Sequence, residues 1–325
     1  MRAAHLHTCG EPPRAVEVDT PTAGAGQALV RVTAAPITPL DLLCASGTSY
    51  FGAPATPYVP GVQGIGVIES SDRLSAGSRV WFPTPAGMAS GDGGMAELAV
   101  VPDGDLVPVT GSVDDAHLAA LGLSAIAAWT ALLLRGGLRP GERVLVLGSS
   151  GVVGRVALQA ARLHAAGAVF GAAIEDSAGV SAAELGADGF VQLRPDEPTD
   201  ELAKRMRDVV GDVDLVLDPL CGVPASAALL CLAHGGRLVN LGSSAAPTAT
   251  FSSAHLRSGS RTVLGYTNND LTGHERRQAM QEIELHAAAG RLAVPYEEFP
   301  VERVHEAWER QARGEVDGRA VITFG

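Results

Sequence analysis

The chain has 325 residues, of which 46% are hydrophobic and 18% charged, a composition typical of a globular protein with a sizeable core. This length exceeds the size at which one hydrophobic core usually keeps growing, so we expect two domains. The formal net charge of −12 argues against nucleic acid or an anionic membrane as partner, because both require clustered lysine and arginine.

Cysteine usage and the apolar segments indicate a reducing, cytoplasmic setting. The four cysteines contain no CxxC pair, so neither a disulfide framework nor a structural zinc is predicted. Residues Met1–His7 lack the apolar core of a signal peptide. The longest apolar stretch, Leu118–Leu134, contains Gly122, Ser124 and Thr130. At about 17 residues it is at the lower limit for a membrane span, and we interpret it as a buried helix.

The sequence pattern of the first 110 residues predicts a β-rich domain. Frequent prolines argue against long helices there, and short strands broken by turns favour a rolled-up antiparallel or barrel-like fold. The predicted strands are Leu29–Ala34, Gly64–Glu69, Arg79–Phe82 and Ala96–Val101.

From about Leu118 the pattern changes to alternating strands and helices, which predicts a parallel, doubly wound sheet with right-handed crossovers. The predicted strands are Val144–Leu147, Ala168–Ala173, Gly189–Leu193, Asp214–Leu217, Arg237–Gly242 and Thr262–Gly265. The predicted helices begin near Val156, Ser177, Asp200 and Pro224, and the last of them extends to Ala233. In the tail, His274–Ala289 and Val301–Arg313 are predicted helices, and the final strand Arg319–Phe324 could return to the first domain.

One stretch carries a dinucleotide-binding fingerprint. The strand ending at Leu147 is followed by a loop of small residues and then by a helix, the context such a fingerprint requires. Gly151 would let the backbone approach a pyrophosphate, and Gly154 would let helix and strand pack closely. Ser149 stands where the first glycine of the usual pattern would be.

These motifs, in this order, resemble the medium-chain dehydrogenase/reductase superfamily, and within it the zinc-free quinone oxidoreductase and enoyl reductase branch. The resemblance covers essentially the whole chain. It rests on the fingerprint helix and on Ile37–Asp41, Pro60–Ile68, Gly93–Glu97, Asp214–Pro219, Gly235–Arg237 and Gly318–Val321.

The resemblance implies an α/β protein in which a GroES-like, β-rich catalytic domain is interrupted by a Rossmann dinucleotide-binding domain. The expected boundaries are residues 1–117 with 267–325 for the catalytic domain and 118–266 for the Rossmann domain. It also implies a homodimer that pairs sheet edges near Thr262–Gly265, which edge-strand physics makes reasonable.

The resemblance also bears on metal binding. The zinc-dependent branch places a cysteine and a His-Glu pair at the positions held here by Thr38, Val62 and Gln63. None of these is a good zinc ligand, so we predict no metal. Without a Lewis acid, hydride transfer suits an electron-poor conjugated carbonyl: a quinone, an enone or an enoyl thioester.

Residues for this chemistry can be named. Tyr50 is the first catalytic candidate because the branch often carries a substrate-side tyrosine there, and Thr38 is a second. Selectivity would depend on the loops Phe51–Pro60, Ala86–Asp92 and Ala245–Ser252. The expected substrate contacts are Tyr58, Gln63, Tyr266 and Asn268, and the expected cofactor contacts are Ser149, Ser150, Gly151, Val152, Val153, Gly154, Arg194, Gly242 and Ser243.

Cofactor choice depends on the residues about 20 positions past the fingerprint, where an acid would bind a ribose hydroxyl and favour NAD. Ala173 stands at that position, and Ala178 stands where NADP-using relatives carry a lysine. Glu175 and Asp176 could repel a 2′-phosphate or simply begin the next helix. Arg194 could reach a phosphate from the following strand, and the habit of the family favours NADPH without excluding NADH.

The leading hypothesis is a cytoplasmic, zinc-independent, NADPH-dependent reductase that acts on a small-molecule conjugated carbonyl. Two alternatives stay open: a redox-silent cyclase or isomerase on the same fold, and a nucleotide-responsive binding protein without turnover.

Overall fold

The computed structural model describes every residue from Met1 to Gly325 and divides the chain into two compact units. Unit 1 comprises Met1–Leu123 and Thr272–Gly325, and unit 2 comprises Ser124–Leu271. The units divide after Leu123 and not after residue 117, next to the kink at Gly122 within the helix Asp115–Thr130. The second boundary also moves, since a short 3-10 turn at Asn268–Asp270 stays with unit 2.

Unit 1 is built on a seven-stranded sheet and a separate two-stranded ladder. Numbered along the whole chain, its strands are β1 (Arg2–His5), β2 (Arg14–Glu17), β3 (Gln27–Pro36), β4 (Gln63–Ser70), β5 (Arg79–Pro83), β6 (Leu98–Pro102), β7 (Val107–Pro108), β14 (Tyr296–Pro300) and β15 (Arg319–Thr323). The order in the larger sheet is β14-β15-β3-β4-β5-β7, and β6 also pairs with β3. The last strand therefore does return to the first domain, where Val321 pairs with Pro36.

Two of the helices of unit 1, at Pro39–Ala45 and Val304–Ala312, contribute to a core that includes Phe82, Met95 and Phe299. The helices of unit 1 are α1 (Pro39–Ala45), the first residues of α2 (Asp115–Thr130), α8 (Gly273–Ala288) and α9 (Val304–Ala312). The proline-rich sequence conceals α1, because Pro39 occupies the first helical turn, where its missing N–H costs nothing.

Unit 2 contains a six-stranded sheet in which every neighbouring pair is parallel. Its strands are β8 (Arg143–Leu147), β9 (Ala168–Ala173), β10 (Gly189–Gln192), β11 (Val213–Asp218), β12 (Leu232–Asn240) and β13 (Thr262–Gly265). The order is β10-β9-β8-β11-β12-β13, so the chain changes direction between β8 and β11. In open parallel sheets, ligands bind at the carboxyl ends of the strands at such a switch point.

The helices of unit 2 connect these strands. They are the end of α2, which continues into a π-helical turn at Ala131–Arg135, then α3 (Val152–Leu163), α4 (Ala178–Glu184), α5 (Thr199–Val210), α6 (Gly222–Leu230) and α7 (Ser253–Ser258). The segment Asp115–Arg135 is long and apolar enough to cross a membrane, but 83% of its most apolar window is buried within the protein, as in a core helix.

One predicted pair of elements differs from the structure. The helix predicted to end at Ala233 ends at Leu230, and β12 begins at Leu232 rather than Arg237. Leu232 pairs with Val213, and the N–H of Gly235 donates to the carbonyl of Gly259. The register with β11 shifts between Leu232 and Arg237, so His234-Gly235-Gly236 is an irregular stretch within β12 whose local propensity does not indicate a strand.

Candidate functional site

The loop between β8 and α3 lies at the switch point of the unit 2 sheet. Gly148 follows β8 with a φ of +63°, a conformation that glycine adopts without strain. The N–H of Gly151 closes the turn by donating to the carbonyl of Gly148 over 3.2 Å. No side chain caps the start of α3 at Gly151, so the first N–H groups of this 12-residue helix are available to an anion.

The two glycines of this loop have different surroundings. A Cβ atom at Gly154 would lie 2.2 Å from the carbonyl oxygen of Gly148 and 2.6 Å from the Cα of Ser149. A Cβ atom at Gly151 would meet only the Gly148 carbonyl oxygen, at 3.6 Å. Gly154 is therefore required by packing within the loop, whereas the space beside Gly151 is open.

Ser149 points away from that space. Its N–H donates to the carbonyl of Ala172, its side chain is buried, and its Oγ has no hydrogen-bond partner. A Cβ atom at Gly171 in β9 would lie 2.9 Å from this Oγ. We therefore assign Ser149 a packing role under the loop. Of the other predicted cofactor contacts here, Gly151 is exposed, Ser150 and Val153 are partly buried, and Val152 is buried.

The contact between Ser149 and Gly171 can be tested by stability. Ser149→Ala should raise the free energy of unfolding by about 1 kcal/mol, because it removes an unpartnered buried hydroxyl. Gly171→Ala should lower it by about 1–3 kcal/mol through overpacking, and by less when Ser149 is already alanine. Urea denaturation of the two single variants and the double variant measures this coupling. Strict additivity would contradict the contact.

Asp218, at the end of β11, organises the neighbouring loop. It is 1% exposed, and its carboxylate accepts hydrogen bonds from the N–H groups of Leu220 and Cys221 and from the side-chain amide of Asn240. Burial raises the pKa of Asp218, and these three donors oppose the rise. The Asn240 amide also donates to the carbonyl of Gly242 over 2.9 Å, so the pair fixes the loop that carries Gly242 and Ser243.

Asp218 and Asn240 were not predicted as site residues. The signal was present, because Asp218-Pro219 ends one strand and Asn240-Leu241-Gly242 ends the next, and parallel neighbouring strands end at the same edge. Their register pairing, Asp218 with Asn240, could not be obtained from spacing alone.

The residues that would choose between cofactors lie near the ends of β9 and β10. Ala173 ends β9, and Glu175, Asp176 and Arg194 are all exposed. The guanidinium of Arg194 makes no hydrogen bond or salt bridge within the protein, although its charge helps to lower the pKa of Glu197. Arg194 is therefore a cation available to a ligand beside this edge.

Tyr266 and Asn268, two predicted substrate contacts, lie together in unit 2. The Tyr266 hydroxyl donates to the Asn268 Oδ1 over 2.5 Å and is 2.5 Å from the hydroxyl of Thr130. Both contacts fix the Tyr266 ring where α2 passes into its π-helical turn, a distortion that often accompanies functional sites.

Thr38, predicted to be catalytic, is part of the scaffold of unit 1. Its hydroxyl and N–H both donate to Asp41, over 2.7 and 2.8 Å, in a capping box at the start of α1. The other Asp41 oxygen accepts from the N–H groups of Gly61 and Val62. Burial raises the pKa of Asp41, and these donors oppose the rise. The Thr38 proton is thus engaged with Asp41, and we remove Thr38 from the catalytic set.

Gln63, predicted to contact substrate, is likewise buried in unit 1 with 1% exposure. Its Oε1 accepts from the Trp81 indole N–H over 2.8 Å and from the N–H of Leu123 over 2.7 Å. These two donors fix the kink of α2 at Gly122, whose φ is +33°.

No group of three or more histidine, cysteine, aspartate or glutamate side chains that could hold a metal is present.

A cavity of about 460 Å³ lies in unit 1 between residues 51–58 and residues 87–92, two of the loops expected to set selectivity. Tyr58 lines this cavity and is 7% exposed. Burial, and then Asp41 and Cys44, raise the pKa of the Tyr58 phenol, so it stays protonated. Tyr50 does not line the cavity: it is 79% exposed, with its ring 4.1 Å from that of Phe51.

An open parallel sheet with a glycine-rich switch-point loop, joined to a β-rich unit containing a loop-lined cavity, defines a dinucleotide-dependent dehydrogenase or reductase. Comparisons agree with this class. Residues 24–111 match the family model described as alcohol dehydrogenase GroES-like domain, and residues 152–284 match the model described as zinc-binding dehydrogenase.

Individual relatives narrow the assignment. The chain is 30% identical over 295 residues to quinone oxidoreductase of Homo sapiens, covering 89% of this chain and 86% of that protein. It is also 30% identical over 300 residues to quinone oxidoreductase of Lama guanicoe, covering 90% of this chain and 87% of that protein. The quinone oxidoreductase of Thermus thermophilus, whose complex with NADPH has been solved, superposes with a TM-score of 0.82 at 28% identity, covering 100% of both chains. The chain belongs to the medium-chain dehydrogenase/reductase superfamily, in its quinone oxidoreductase branch, and its units are the GroES-like and Rossmann domains of that fold.

Proposed function

We propose that this protein is a zinc-independent oxidoreductase that transfers hydride from NADPH to a conjugated carbonyl compound. The observation that carries the proposal is the open face of the β8–α3 loop, where Gly151 leaves room for a pyrophosphate and α3 offers uncapped N–H groups. The quinone oxidoreductase relatives, one of them solved with NADPH, support the same assignment.

Zinc independence is supported by the residues at the positions of the zinc ligands in related dehydrogenases. Thr38 is engaged with Asp41, Val62 is apolar, and Gln63 is engaged with Trp81 and Leu123. Since none of these three residues offers a free thiolate, imidazole or carboxylate, the set does not suit zinc.

Different residues would bind the cofactor and polarise the substrate carbonyl. Gly151 and the start of α3 would bind the pyrophosphate of NADPH, and the loop held by Asp218 and Asn240 would support the nicotinamide side. The nicotinamide, when bound, supplies the hydride. Tyr58, kept protonated by burial, would donate a hydrogen bond to the enolate oxygen that develops on the substrate.

The test is direct. NADPH and NADH are titrated by fluorescence, and oxidation of the reduced cofactor is then followed with quinones, enones and enoyl thioesters. We expect binding of NADPH and turnover with at least one class. Absence of binding to either cofactor would rule out the reductase, and binding without oxidation across the panel would favour a nucleotide-responsive binding protein.

The role of Tyr58 predicts a loss of turnover. Tyr58→Phe should lower kcat roughly 100-fold, the scale for removing one donor to a developing oxyanion. Tyr50→Phe should leave kcat unchanged, because Tyr50 lies outside the cavity. Steady-state kinetics with the preferred acceptor measures kcat for both variants. Equal effects of the two substitutions would contradict the proposed role of Tyr58.

The role of Arg194 predicts a change in cofactor preference. Arg194→Ala should weaken NADPH binding roughly tenfold, through loss of a charged hydrogen bond to the 2′-phosphate, and leave NADH binding unchanged. Arg139→Ala is the control, because Arg139 is exposed just before the opposite end of β8. Fluorescence titration of both cofactors measures the effect, and parallel losses for NADPH and NADH would refute this assignment.

We also propose a cytoplasmic homodimer. All four cysteines are free thiols, which suits a reducing compartment. Strand β13 lies at the edge of the unit 2 sheet and exposes Val263, so a second copy could extend the sheet there. Light scattering of the purified protein reports the oligomeric state.

A further inference from the structure

The cavity of unit 1 has an uneven charge distribution. Of the 36 acidic and 24 basic residues of the chain, only Asp92 lines it, and no arginine or lysine does. The remaining lining is apolar or uncharged, with Phe51, Tyr58 and Met88 as its largest side chains.

Asp92 is held at the rim. Its Oδ1 accepts the N–H of Val59 over 2.8 Å, which ties the two loops of the cavity together. The basic residue whose pKa responds to Asp92 is His5, and burial followed by the charge of His7 lowers that pKa. His5 therefore provides no stable positive charge near neutral pH to offset the carboxylate.

The far end of the cavity presents no strong nucleophile to an electrophilic ligand. A Cβ atom at Gly87 would lie 3.0 Å from the Tyr58 hydroxyl and 2.6 Å from the Cβ of Cys44, so Cys44 is just behind Gly87. Burial, and then Asp41, raise the pKa of the Cys44 thiol to about 11. The thiol thus stays protonated and unreactive.

From this geometry we infer that the cavity selects uncharged conjugated carbonyl compounds and rejects anionic ones, with Asp92 as the specificity-determining residue. An enoyl thioester carried on coenzyme A or a phosphopantetheine arm brings phosphates, whose recognition calls for arginine or lysine. The cavity contains neither arginine nor lysine, and its charged side chain, Asp92, is negative. The whole chain also has a net charge of −12. The reaction on the bound compound rests on the proposed function; the selection itself is a property of binding.

The first experiment uses ligand pairs that differ in charge. Naphthoquinone is compared with its sulfonate, and an enoyl thioester of N-acetylcysteamine with the same enoyl thioester of coenzyme A. Dissociation constants are measured by calorimetry on the full-length protein, and kcat/KM is measured with NADPH. We expect the neutral member of each pair to bind roughly tenfold more tightly, with a smaller gap at high salt. Equal or tighter binding of the anionic members would overturn the inference.

The second experiment tests Asp92 itself. Asp92→Asn removes the charge but retains an oxygen that can accept the Val59 N–H. It should tighten binding of the sulfonate severalfold relative to binding of neutral naphthoquinone. Asp19→Asn, an exposed residue outside the cavity, makes the same change in net charge and should alter neither ligand. Equal responses of the two variants would assign the effect to net charge and overturn the role of Asp92.

The proposed function and the proposed charge selection are tested by different results. If the protein binds neutral naphthoquinone in the expected way but oxidises no NADPH, the proposed function fails and the selection stands. If NADPH is oxidised with sulfonated and neutral quinones at the same kcat/KM, the proposed function stands and the selection fails.

Discussion

Replacing Arg237 with alanine should lower the free energy of unfolding by about 2–4 kcal/mol, because it breaks a partly buried ion pair with several hydrogen bonds. The guanidinium donates to both carboxylate oxygens of Glu142, over 2.8 and 2.7 Å. It also donates to the carbonyls of Gly136, Gly137 and Asp214. Loss of Arg237 would leave a largely buried carboxylate and three carbonyls without this donor.

The same interaction predicts a pH dependence. Burial on its own raises the pKa of Glu142, but the hydrogen bonds from Arg237 and from the N–H of Arg139 outweigh it, and the pKa lies below its ordinary value. A lowered carboxylate pKa contributes stability above the unfolded-state pKa, and this contribution is lost as the pH falls through the folded-state pKa. The difference in the free energy of unfolding between wild type and Arg237→Ala should therefore be largest near pH 7 and decrease below about pH 4.

Urea denaturation across this pH range measures the effect. Arg257→Ala is a suitable control, because the Arg257 side chain makes only a 3.4 Å hydrogen bond with Ser253, and it should cost less than about 0.5 kcal/mol. A loss below about 1 kcal/mol for Arg237→Ala would show that this partly buried pair contributes no more than a surface pair.

Replacing Gly154 with alanine should abolish cofactor binding and lower the free energy of unfolding by about 3 kcal/mol. The new Cβ would meet backbone atoms of Gly148 and Ser149 at 2.2 and 2.6 Å, which no side-chain rotation relieves. The loop must move, and with it the groups that would hold the pyrophosphate.

Gly151→Ala provides the matched comparison. Its φ of −77° suits alanine, and the new Cβ would meet its nearest atom at 3.6 Å, so the melting temperature should not change. A bound pyrophosphate would need that space, so affinity for NADPH should still fall at least tenfold. Thermal melting and fluorescence titration separate the two outcomes, and unchanged NADPH affinity in Gly151→Ala would move the binding site away from this loop.

Much of unit 2 could be predicted because its elements carry local signals. Ala168–Ala173 and Thr262–Gly265 are strands with the predicted bounds. Ala168–Ala173 is buried throughout, as a short apolar run between turns indicates, whereas Thr262–Gly265 is an exposed edge strand. The start of β12 could not be predicted, because Leu232 joins the strand through its pairing with Val213, and an irregular stretch separates it from Arg237, where regular pairing with β11 and β13 begins.

The candidate site was less accessible to sequence analysis, because the roles of its side chains are set by distant partners. Thr38 and Gln63 occupy the positions expected from the resemblance, yet Asp41, Trp81 and Leu123 engage them in structural hydrogen bonds. The sequence favoured Tyr50 over Tyr58 as the catalytic candidate, and only the fold shows that Tyr50 is exposed and that Tyr58 lines a cavity.

The pairing of β15 with β3 has a consequence for biosynthesis. Val321 of β15 pairs with Pro36 of β3, so the edge of β3 that β15 covers stays open while the whole of unit 2 is translated. Unit 2 is continuous in sequence and can complete its sheet on the ribosome before unit 1 can. Nascent chains arrested shortly before Arg319 should therefore contain a protease-resistant Rossmann domain beside a protease-sensitive β-rich segment.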